Sequence, residues 1–376
     1  MQAILPPAML GILGGGQLGR MFVTAAKRMG YRVTVLDPDA QAPAAEFADV
    51  HLCAAYNDAE ALRTLAASCA AITTEFENVN ADAMRELAKT TRVSPSGDCV
   101  AIAQDRIAEK AWVNKAGLPT APYLAIESVE DIQVELAPYL PGILKTARLG
   151  YDGKGQVRVN SADEARAAYA NLGGQACVLE KMLDLKLEVS AIVTRVSPEQ
   201  LSVFPVAENI HKNGILDESI VPARIAPALA AQAQQMARQL AEALDYVGVL
   251  AVEFFVLADD SLVINEIAPR PHNSGHYTID ACVSDQYQQQ VRAMCGLLPG
   301  RTDLLSPVVM VNLLGDVWQA DGGEPNWNVL MEAPNAHLHL YGKKQARAGR
   351  KMGHYSVLAA DVDAALEQAR ALKETL

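Results

Sequence analysis

Roughly the first hundred residues alternate between short apolar runs and longer amphipathic segments. The apolar runs have the length of buried strands and lie at Met9–Leu13, Arg32–Asp37 and Ala71–Thr74. The amphipathic segments have helical spacing and lie at Leu18–Met29, Asp58–Ala67 and Ala81–Lys89. Continuous apolar strands separated by helices are typical of a parallel sheet that is covered on both faces. This part of the chain is therefore predicted to be a doubly wound α/β domain.

The pattern changes after a further predicted helix at Arg106–Ala116. A strand at Gly142–Lys145, a glycine-rich segment and a strand–helix–strand pattern as far as Lys181 predict a small α+β unit. From Leu187 the strands lengthen and form hairpins, which the predicted helix Leu229–Leu244 interrupts. We predict three domains, at residues 1–105, 106–185 and 186–376, the last with a small subdomain from about 306.

Charge and composition narrow the possible partners. The chain has 376 residues, of which 50% are hydrophobic, and its net charge is −12. An acidic chain repels phosphate backbones, so nucleic acid is not an expected partner. No apolar run approaches the roughly 18 residues of a membrane span. The six cysteines form no C-x-x-C pair, as in a reduced, cytoplasmic protein. An anionic ligand needs positive charge gathered locally, and the segment 343–351 holds five basic residues.

A glycine-rich turn follows the first predicted strand. Gly14, Gly16 and Gly19 have the spacing of a dinucleotide-binding fingerprint, and Asp37 ends the next strand about 20 residues later. Glycines there let the backbone approach a phosphate at a helix N-terminus. The same glycines would also serve a tight strand–helix turn with no ligand. The motif alone leaves NAD binding and a structural turn as alternatives.

Two glutamates mark a predicted hairpin near residue 260. A turn centred between Asp259 and Asp260 pairs Glu253 directly with Glu266. Opposed side chains lie about 5 Å apart on one face, and two like charges there need a cation or raised pKa values. Carboxylate oxygens of this kind suit Mg²⁺. The alternative is that one glutamate lies at a solvated edge.

Several charged residues and glycines precede this hairpin. Lys145 ends an apolar strand five residues before the glycines at 150, 153 and 155, whose backbone N–H groups could bind phosphate. Glu180 and Glu188 bracket the following strands, and the backbone at 181–183 could hold an adenine. Taken singly, each residue is as easily explained as a surface charge or a turn glycine. Their order along the chain is what indicates a nucleotide site.

This order resembles that of the ATP-grasp ligases, across essentially the whole chain. Four segments are similar to one branch, the 5-(carboxyamino)imidazole ribonucleotide synthases of purine biosynthesis: LGGGQLGRM at 13–21, GYDGKGQ at 150–156, NEIAPRPHNSGH at 265–276 and GRKMGH at 349–354. The resemblance implies an N-terminal Rossmann-like domain, a small lid domain and a C-terminal antiparallel-sheet domain. Position 268 is Ala where many ATP-grasp enzymes have Asn, so more metal ligands would come from water and phosphate.

The resemblance also implies roles for particular residues. The implied ribonucleotide ligands are Gln17, Leu18, Glu75, Asn273, Lys343, Arg350 and Lys351. The implied ATP ligands are Arg106, Lys145, Gly150, Tyr151, Asp152, Gly153, Lys154, Gly155, Gln156, Glu180, Lys181, Met182, Leu183, Glu188, His211, Asn265 and Glu266. Glu253 and Glu266 would hold the metal. Arg270, Lys343 and the lid residues Tyr151 and Asp152 would act in catalysis.

The implied reaction consumes ATP and bicarbonate and carboxylates the amine of aminoimidazole ribonucleotide through carboxyphosphate. Mg²⁺, or Mn²⁺ in its place, would assist, and no NAD or membrane would be involved. The resemblance further implies a homodimer, and the labile carbamate product suggests transfer to the mutase that follows in the pathway.

Three other functions remain open at this point. A formate-using glycinamide ribonucleotide transformylase has a similar site, but that family carries acidic residues where this chain has Gln17 and Asn273. An NAD-dependent dehydrogenase fits the glycine fingerprint but leaves Lys145 and the glutamate pair unexplained. A catalytically silent nucleotide-binding module would be expected to have lost that pair or Arg270.

Overall fold

The N-terminal part of the chain forms a five-stranded parallel sheet. The computed structural model describes residues 2–133, 135–150, 155–320 and 323–376. The sheet order is β3-β2-β1-β4-β5. Its strands are β1 (Met9–Leu13), β2 (Arg32–Leu36), β3 (Val50–Leu52), β4 (Ala71–Thr74) and β5 (Arg92–Val93). Its connecting helices are α1 (Gln17–Arg28), α2 (Ala59–Ser68), α3 (Ala81–Ala88) and α4 (Gly97–Ala103). The predicted doubly wound domain is confirmed.

Side-chain caps fix where these helices begin. The side chains of Asp58, Asn80 and Ser96 accept hydrogen bonds from backbone N–H groups in the first turns of α2, α3 and α4. Such caps satisfy N–H groups that have no partner inside the helix. The sequence pattern missed β3 and β5 because they have only three and two residues and are partly exposed.

The next part is a four-stranded antiparallel sheet in the order β6-β9-β7-β8. It comprises α5 (Arg106–Lys115), β6 (Tyr123–Ile126), short 3-10 turns at Val129–Gln133 and Ala137–Tyr139, β7 (Gly142–Thr146), β8 (Gln156–Val159), α6 (Ala162–Asn171) and β9 (Cys177–Lys181). The small side chains of Ala165 and Ala168 let α6 pack closely against Leu144 and Leu179 of the sheet. Helix α6 therefore covers one face of this sheet, and the other face is directed toward the rest of the chain.

The largest sheet has nine antiparallel strands in the order β15-β14-β10-β12-β13-β16-β18-β17, with β11 beside β10. Its strands are β10 (Leu185–Ser197), β11 (Gln200–Val203), β12 (Ala207–Lys212), β13 (Ile215–Val221), β14 (Gly248–Leu257), β15 (Leu262–Ala268), β16 (Val308–Leu314), β17 (Ala336–Leu340) and β18 (Lys351–Leu358). The accompanying helices are α7 (Pro227–Ala243), α8 (Thr278–Ala281), α9 (Gln286–Met294), α10 (Asp316–Ala320), α11 (Asn328–Met331) and α12 (Val362–Thr375), with a 3-10 turn at Asn273–Gly275.

Two helices tie this sheet to its surroundings. Helix α7 buries Ala233, Ala237 and Leu240 against β10 and β14. Helix α9 packs instead against α1, so that Val291 and Met294 join the core of the N-terminal sheet. Within the described residues, no helix combines the length and the apolar character needed to cross a bilayer.

Candidate active site

A cavity of about 290 Å³ lies where α5, the small sheet and the large sheet meet. It gathers residues that are far apart in sequence. Those that the sequence predicted for ATP are Arg106, Lys145, Gly150, Gly155, Gln156, Glu188, His211, Asn265 and Glu266. Glu253, predicted for the metal, lines the same cavity. The predicted lid residues Tyr151, Asp152, Gly153 and Lys154 lie outside the described residues.

The two glutamates face each other as the sequence predicted. Glu253 on β14 pairs directly with Glu266 on β15. Burial and the nearby Glu266 carboxylate raise the pKa of Glu253. Burial would also raise the pKa of Glu266, but the Arg106 guanidinium, 2.8 Å away, holds that pKa below its usual value. Arg106 therefore keeps Glu266 ionised, whereas Glu253 favours its protonated form.

The route to this pairing differs from the prediction. Near the turn the strands pair Phe254 with Ile264, so that the hairpin is centred on Asp259. Asn265 is then an extra residue, a β-bulge that restores the Glu253–Glu266 pairing. Bulges redirect side chains and are frequent beside active sites. The predicted pairing is right, but the predicted turn centre is wrong.

The bulge residue completes a set of oxygen donors. Among the described residues no hydrogen-bond partner contacts the buried side-chain oxygen of Asn265. Together with the Glu253 and Glu266 carboxylates it offers the hard oxygen ligands that Mg²⁺ prefers. A divalent cation would also relieve the repulsion between the two glutamates. The residues present therefore fit the metal that the sequence predicted.

A buried ion triad lies at the wall of the cavity. The Glu180 carboxylate contacts Lys145 at 3.0 Å and Lys110 at 3.2 Å. Burial would raise the pKa of Glu180, but these two ammonium groups hold it below its usual value. The structure thus makes Glu180 a partner of two lysines. Sequence reasoning missed Lys110, although it lies four residues after Arg106 and so on the same face of α5.

The backbone beyond Glu180 is largely engaged within the protein. The N–H of Lys181 donates to the Pro122 carbonyl and that of Met182 to the Pro141 carbonyl. Of the predicted adenine-binding stretch, Leu183 is the position whose N–H has no acceptor among the residues that the structure describes.

A histidine–glutamate pair lies at the far side of the cavity. The Nδ1 atom of His211 on β12 is 3.1 Å from a Glu188 oxygen on β10. Burial alone would lower the pKa of His211, but the Glu188 carboxylate raises it above its usual value. Both residues were predicted for ATP, and the structure brings them together.

A second, smaller cavity of about 140 Å³ adjoins the first. The two share a wall made of Arg106, Gly150, Glu253, Glu266, His272 and Lys351. Arg270 lines only the second cavity, where its Nε donates to Glu77 at 2.5 Å. The Arg270 guanidinium keeps the pKa of Glu77 below its usual value despite burial.

His272 is a further residue that sequence reasoning did not select. It lines both cavities, and its Nε2 lies 3.2 Å from Glu253 while its Nδ1 lies 2.9 Å from the Ser274 hydroxyl. Burial, reinforced by Arg270 and Lys351, lowers the pKa of His272 to about 3. The imidazole is therefore neutral at physiological pH. Its closeness to Arg270 in the sequence was the available signal.

The backbone N–H groups of the glycine turn are bound by carboxylates of the protein itself. The Gly15 N–H donates to Asp37, and the N–H groups of Gly16 and Gly19 donate to Glu75. Burial raises the pKa of Glu75 to about 7, although those N–H groups act in the opposite direction. These contacts explain the fingerprint and Asp37 without a dinucleotide. Gln17 and Leu18, both predicted substrate ligands, open α1 directly after this turn.

The basic segment is divided between two places. Lys343 and Arg350 line a surface cavity of about 290 Å³ together with Lys344 and Arg347. Lys351 instead lines both inner cavities, beside Glu253. The predicted trio of phosphate ligands is therefore not one cluster, because Lys351 begins β18 whereas Lys343 and Arg350 lie in the loop that precedes this strand. Asn273, also predicted for the substrate, lines the larger inner cavity.

Family models match three consecutive parts of the chain. The ribonucleotide synthetase preATP-grasp domain matches residues 8–104, the ATP-grasp domain 111–287 and the phosphoribosylaminoimidazole carboxylase C-terminal domain 308–368. Together they span well over half of the 376 residues.

Individual relatives agree with these matches. The N5-carboxyaminoimidazole ribonucleotide synthase of Bacillus subtilis is 44% identical over 95% of this chain and 93% of its own. A solved ADP complex of N5-carboxyaminoimidazole ribonucleotide synthetase has a TM-score of 0.91 and 45% identity, covering 99% of this chain and 98% of the other. The Aspergillus clavatus enzyme with ADP and 5-aminoimidazole ribonucleotide has a TM-score of 0.88 and 32% identity, covering 98% of each chain. The chain therefore belongs to the N5-carboxyaminoimidazole ribonucleotide synthase family of ATP-grasp ligases.

Proposed function

We propose that this protein carboxylates 5-aminoimidazole ribonucleotide, using ATP and bicarbonate and releasing ADP and phosphate. The observation that carries the proposal is the joining of two cavities. One holds the oxygen donors of Glu253, Asn265 and Glu266 beside Lys145. The other is lined by Arg270 and opens from the same glutamate wall. A phosphoryl donor and a small oxyanion can thus meet across that wall.

The larger cavity is the proposed ATP site. Arg106 and Lys145 place positive charge where the phosphates would lie, and Leu183 offers its backbone to adenine. Glu253, Glu266 and the Asn265 oxygen would hold Mg²⁺, or Mn²⁺ in its place. When bound, the cation neutralises phosphate charge and polarises the terminal phosphoryl group. Arg106 keeps Glu266 ionised, so this carboxylate is available to bind the cation.

The smaller cavity is the proposed bicarbonate site. Phosphorylation of bicarbonate gives carboxyphosphate, and the protein contributes mainly position and charge to such a transfer. Arg270 presents N–H donors to the oxyanion, while its Glu77 contact fixes the guanidinium plane. Neutral His272 orients Glu253 through Nε2, and Lys351 adds an ammonium group at the shared wall. The lid residues Tyr151 and Asp152 are proposed to exclude water from the intermediate.

The amine substrate is proposed to lie beside the glycine turn. Glu75, Gln17 and Leu18 meet there, and Lys343 is close enough for its charge to favour the ionised form of Glu75. Lys343 and Arg350 would bind the substrate phosphate, for which a planar guanidinium is well suited. Lys343 is thereby the proposed link between the phosphate and the reacting end, whereas Lys351 belongs to the bicarbonate site.

Assembly and location are also proposals. We propose a homodimer that acts in the cytoplasm, where ATP and the ribonucleotide are made. The carbamate product is labile, which favours direct transfer to the mutase that uses it.

Phosphate release from Mg·ATP tests the reaction. The expected result is release that requires bicarbonate and is stimulated by aminoimidazole ribonucleotide. Formate with glycinamide ribonucleotide serves as the rival pair, and release with that pair alone would assign the chain to the transformylase reaction. No nucleotide turnover with either pair would contradict the proposed function.

A further inference from the structure

A cluster of histidines lies outside the cavities described above. His337 and His339 are two residues apart on β17 and so share one face of that strand. His339 pairs directly with His354 on β18, which places both imidazoles on the same face of the sheet. Their rings stack with centroids 4.5 Å apart. Asp280 of α8 approaches this face, with its carboxylate oxygens 3.0 and 3.1 Å from the His339 Nε2.

The cluster has the donor spacing of an ion site. One ligand atom from each of Asp280, His339 and His354 lies within 4.8 Å of the other two. A tetrahedral Zn²⁺ with bonds of about 2.0–2.1 Å would draw such atoms to roughly 3.4 Å apart. That shift is about an ångström or less per side chain. His337, whose Nδ1 lies 3.9 Å from the Asp280 carboxylate, is within reach as a fourth ligand.

The strongest indication of a metal site comes from His354. Its ring is fully buried, and its Nε2 contacts no hydrogen-bond partner among the described residues. Its other nitrogen, Nδ1, is 2.9 Å from the Tyr341 hydroxyl. A ligating histidine commonly donates its second N–H to an oxygen, which fixes the tautomer and aims the other nitrogen at the metal. An Asp280–His339 hydrogen bond alone would leave the Nε2 of His354 unmatched.

We propose that Asp280, His339 and His354 form a transition-metal site, with His337 completing it. Imidazole nitrogens with one carboxylate suit Zn²⁺ and related ions, unlike the all-oxygen set at Glu253 and Glu266. His339 lines a surface cavity of about 380 Å³, which gives the ion a path from solvent. The ion would fasten the edge strand β17 and its neighbour β18 to α8.

Cobalt is the probe for this site, because its visible absorption reports imidazole and carboxylate coordination. The full chain is stripped with a chelator and then saturated with Mg²⁺ and ADP, which occupies the glutamate pair. Titration with Co²⁺ is expected to give one bound ion per chain with a tetrahedral spectrum, and Zn²⁺ is expected to displace it. The absence of any such spectrum at millimolar Co²⁺ would overturn the proposal.

Substitution of the proposed ligands tests where the ion binds. The partly exposed His339 is replaced first, because His354 is fully buried and its loss could prevent folding. His339→Gln and Asp280→Asn are each expected to abolish the Co²⁺ spectrum, while His51→Gln, in the N-terminal sheet, is expected to retain it. Metal-free melting temperatures show whether each variant is folded. Unchanged Co²⁺ affinity in both His339→Gln and Asp280→Asn would place the ion elsewhere and refute the site.

Tyr341→Phe tests the geometry at His354. It removes the oxygen that contacts Nδ1 and leaves all the proposed ligands in place. Loss of such an outer contact typically weakens metal binding about 10–100-fold. An affinity equal to that of the unmodified chain would contradict the proposed orientation of His354.

Discussion

Arg270 offers the sharpest test of a single side chain. Arg270→Lys keeps the positive charge but removes the planar set of N–H donors. We expect bicarbonate-dependent phosphate release to fall about 10²–10³-fold, the range found when one oxyanion donor is lost. Affinity for ADP should be unchanged, because Arg270 lines the second cavity and not the first. Steady-state phosphate release and an ADP titration measure the two effects.

The control for Arg270 is Arg301→Lys. Arg301 is exposed, and within the described ranges its ion pair is with the exposed Asp303, so its replacement should alter neither quantity. Weakened ADP binding in Arg270→Lys would instead assign this guanidinium to the nucleotide site.

Glu180 holds two ammonium groups in place, that of the buried Lys110 and that of the partly buried Lys145. Glu180→Gln removes their shared counter-charge and leaves Lys110 and Lys145 facing each other without it. Breaking a buried ion pair from one side destabilises a protein by about 3–5 kcal/mol. We expect a loss of that order in the free energy of unfolding, measured by urea denaturation. Glu199→Gln, at an exposed position, is the matched control, and equal effects in both variants would contradict a structural role for the triad.

Single residues were predictable from the sequence where spacing determines their partners. Glu253 and Glu266 could be paired because a short turn joins their two strands, and because the shift of the turn centre and the bulge at Asn265 cancel at this pair. Lys110 and His272 could not, because their partners lie 70 and 19 residues away on other elements, Glu180 and Glu253. Tertiary packing, not local pattern, makes those contacts.

The bulge at Asn265 is the element that shapes the proposed metal site. Asn265→Ala should keep the strand pairing and remove one oxygen donor. A hydrogen-bond-like contact to a charged group contributes about 1.5–3 kcal/mol. We therefore expect the Mg²⁺ concentration for half-maximal activity to rise by roughly tenfold or more, as measured by phosphate release across a Mg²⁺ series.

Asn171→Ala is the control for the bulge residue. Asn171 is exposed at the end of α6, and its replacement should leave the Mg²⁺ requirement unchanged. An unaltered requirement in Asn265→Ala would mean that the amide oxygen is not a ligand.

Elements with strong periodicity were predicted closely, and short or irregular ones were not. The predicted helix Leu229–Leu244 is observed at Pro227–Ala243 because its apolar face packs against one sheet. The bulge escaped prediction because an extra residue leaves the alternation of side chains ambiguous. Asp260, which takes a left-handed backbone conformation in the turn, shifts the hairpin centre by half a residue.

At the scale of the molecule, α9 links parts that are distant in sequence. Gln290 on this helix donates to Thr73 in β4 and accepts the N–H of Val249 in β14. The same helix follows the 3-10 turn that begins after His272. The N-terminal sheet and the β14–β15 hairpin are thereby held in one arrangement. No local sequence pattern indicates such a contact, since Gln290 is an ordinary polar position within an amphipathic helix.

The stability of this arrangement is expected to depend on pH through Glu109. Its carboxylate accepts the Ile267 N–H, and burial raises the pKa of Glu109 to about 8, although Arg106 acts in the opposite direction. The unfolded chain releases this proton near pH 4.5, whereas the folded chain keeps it until about pH 8. Between those values the unfolded state binds fewer protons, so the contribution of Glu109 to stability falls as pH rises. The fall is at most about 1.4 kcal/mol per pH unit.

Glu109→Gln should therefore remove this pH dependence. The variant is expected to match the unmodified chain near pH 5 and to exceed it in stability near pH 8, because glutamine resembles the protonated carboxyl group that the fold already holds. Urea denaturation at several pH values measures the difference, and Glu242→Gln, at an exposed position on α7, should give none. A difference that stays constant between pH 5 and pH 8 would mean that Glu109 is ionised in the folded protein, with Arg106 as its counter-ion. Arg106 would then be shared between Glu109 and Glu266, and the glutamate pair would depend on the bound cation even more strongly.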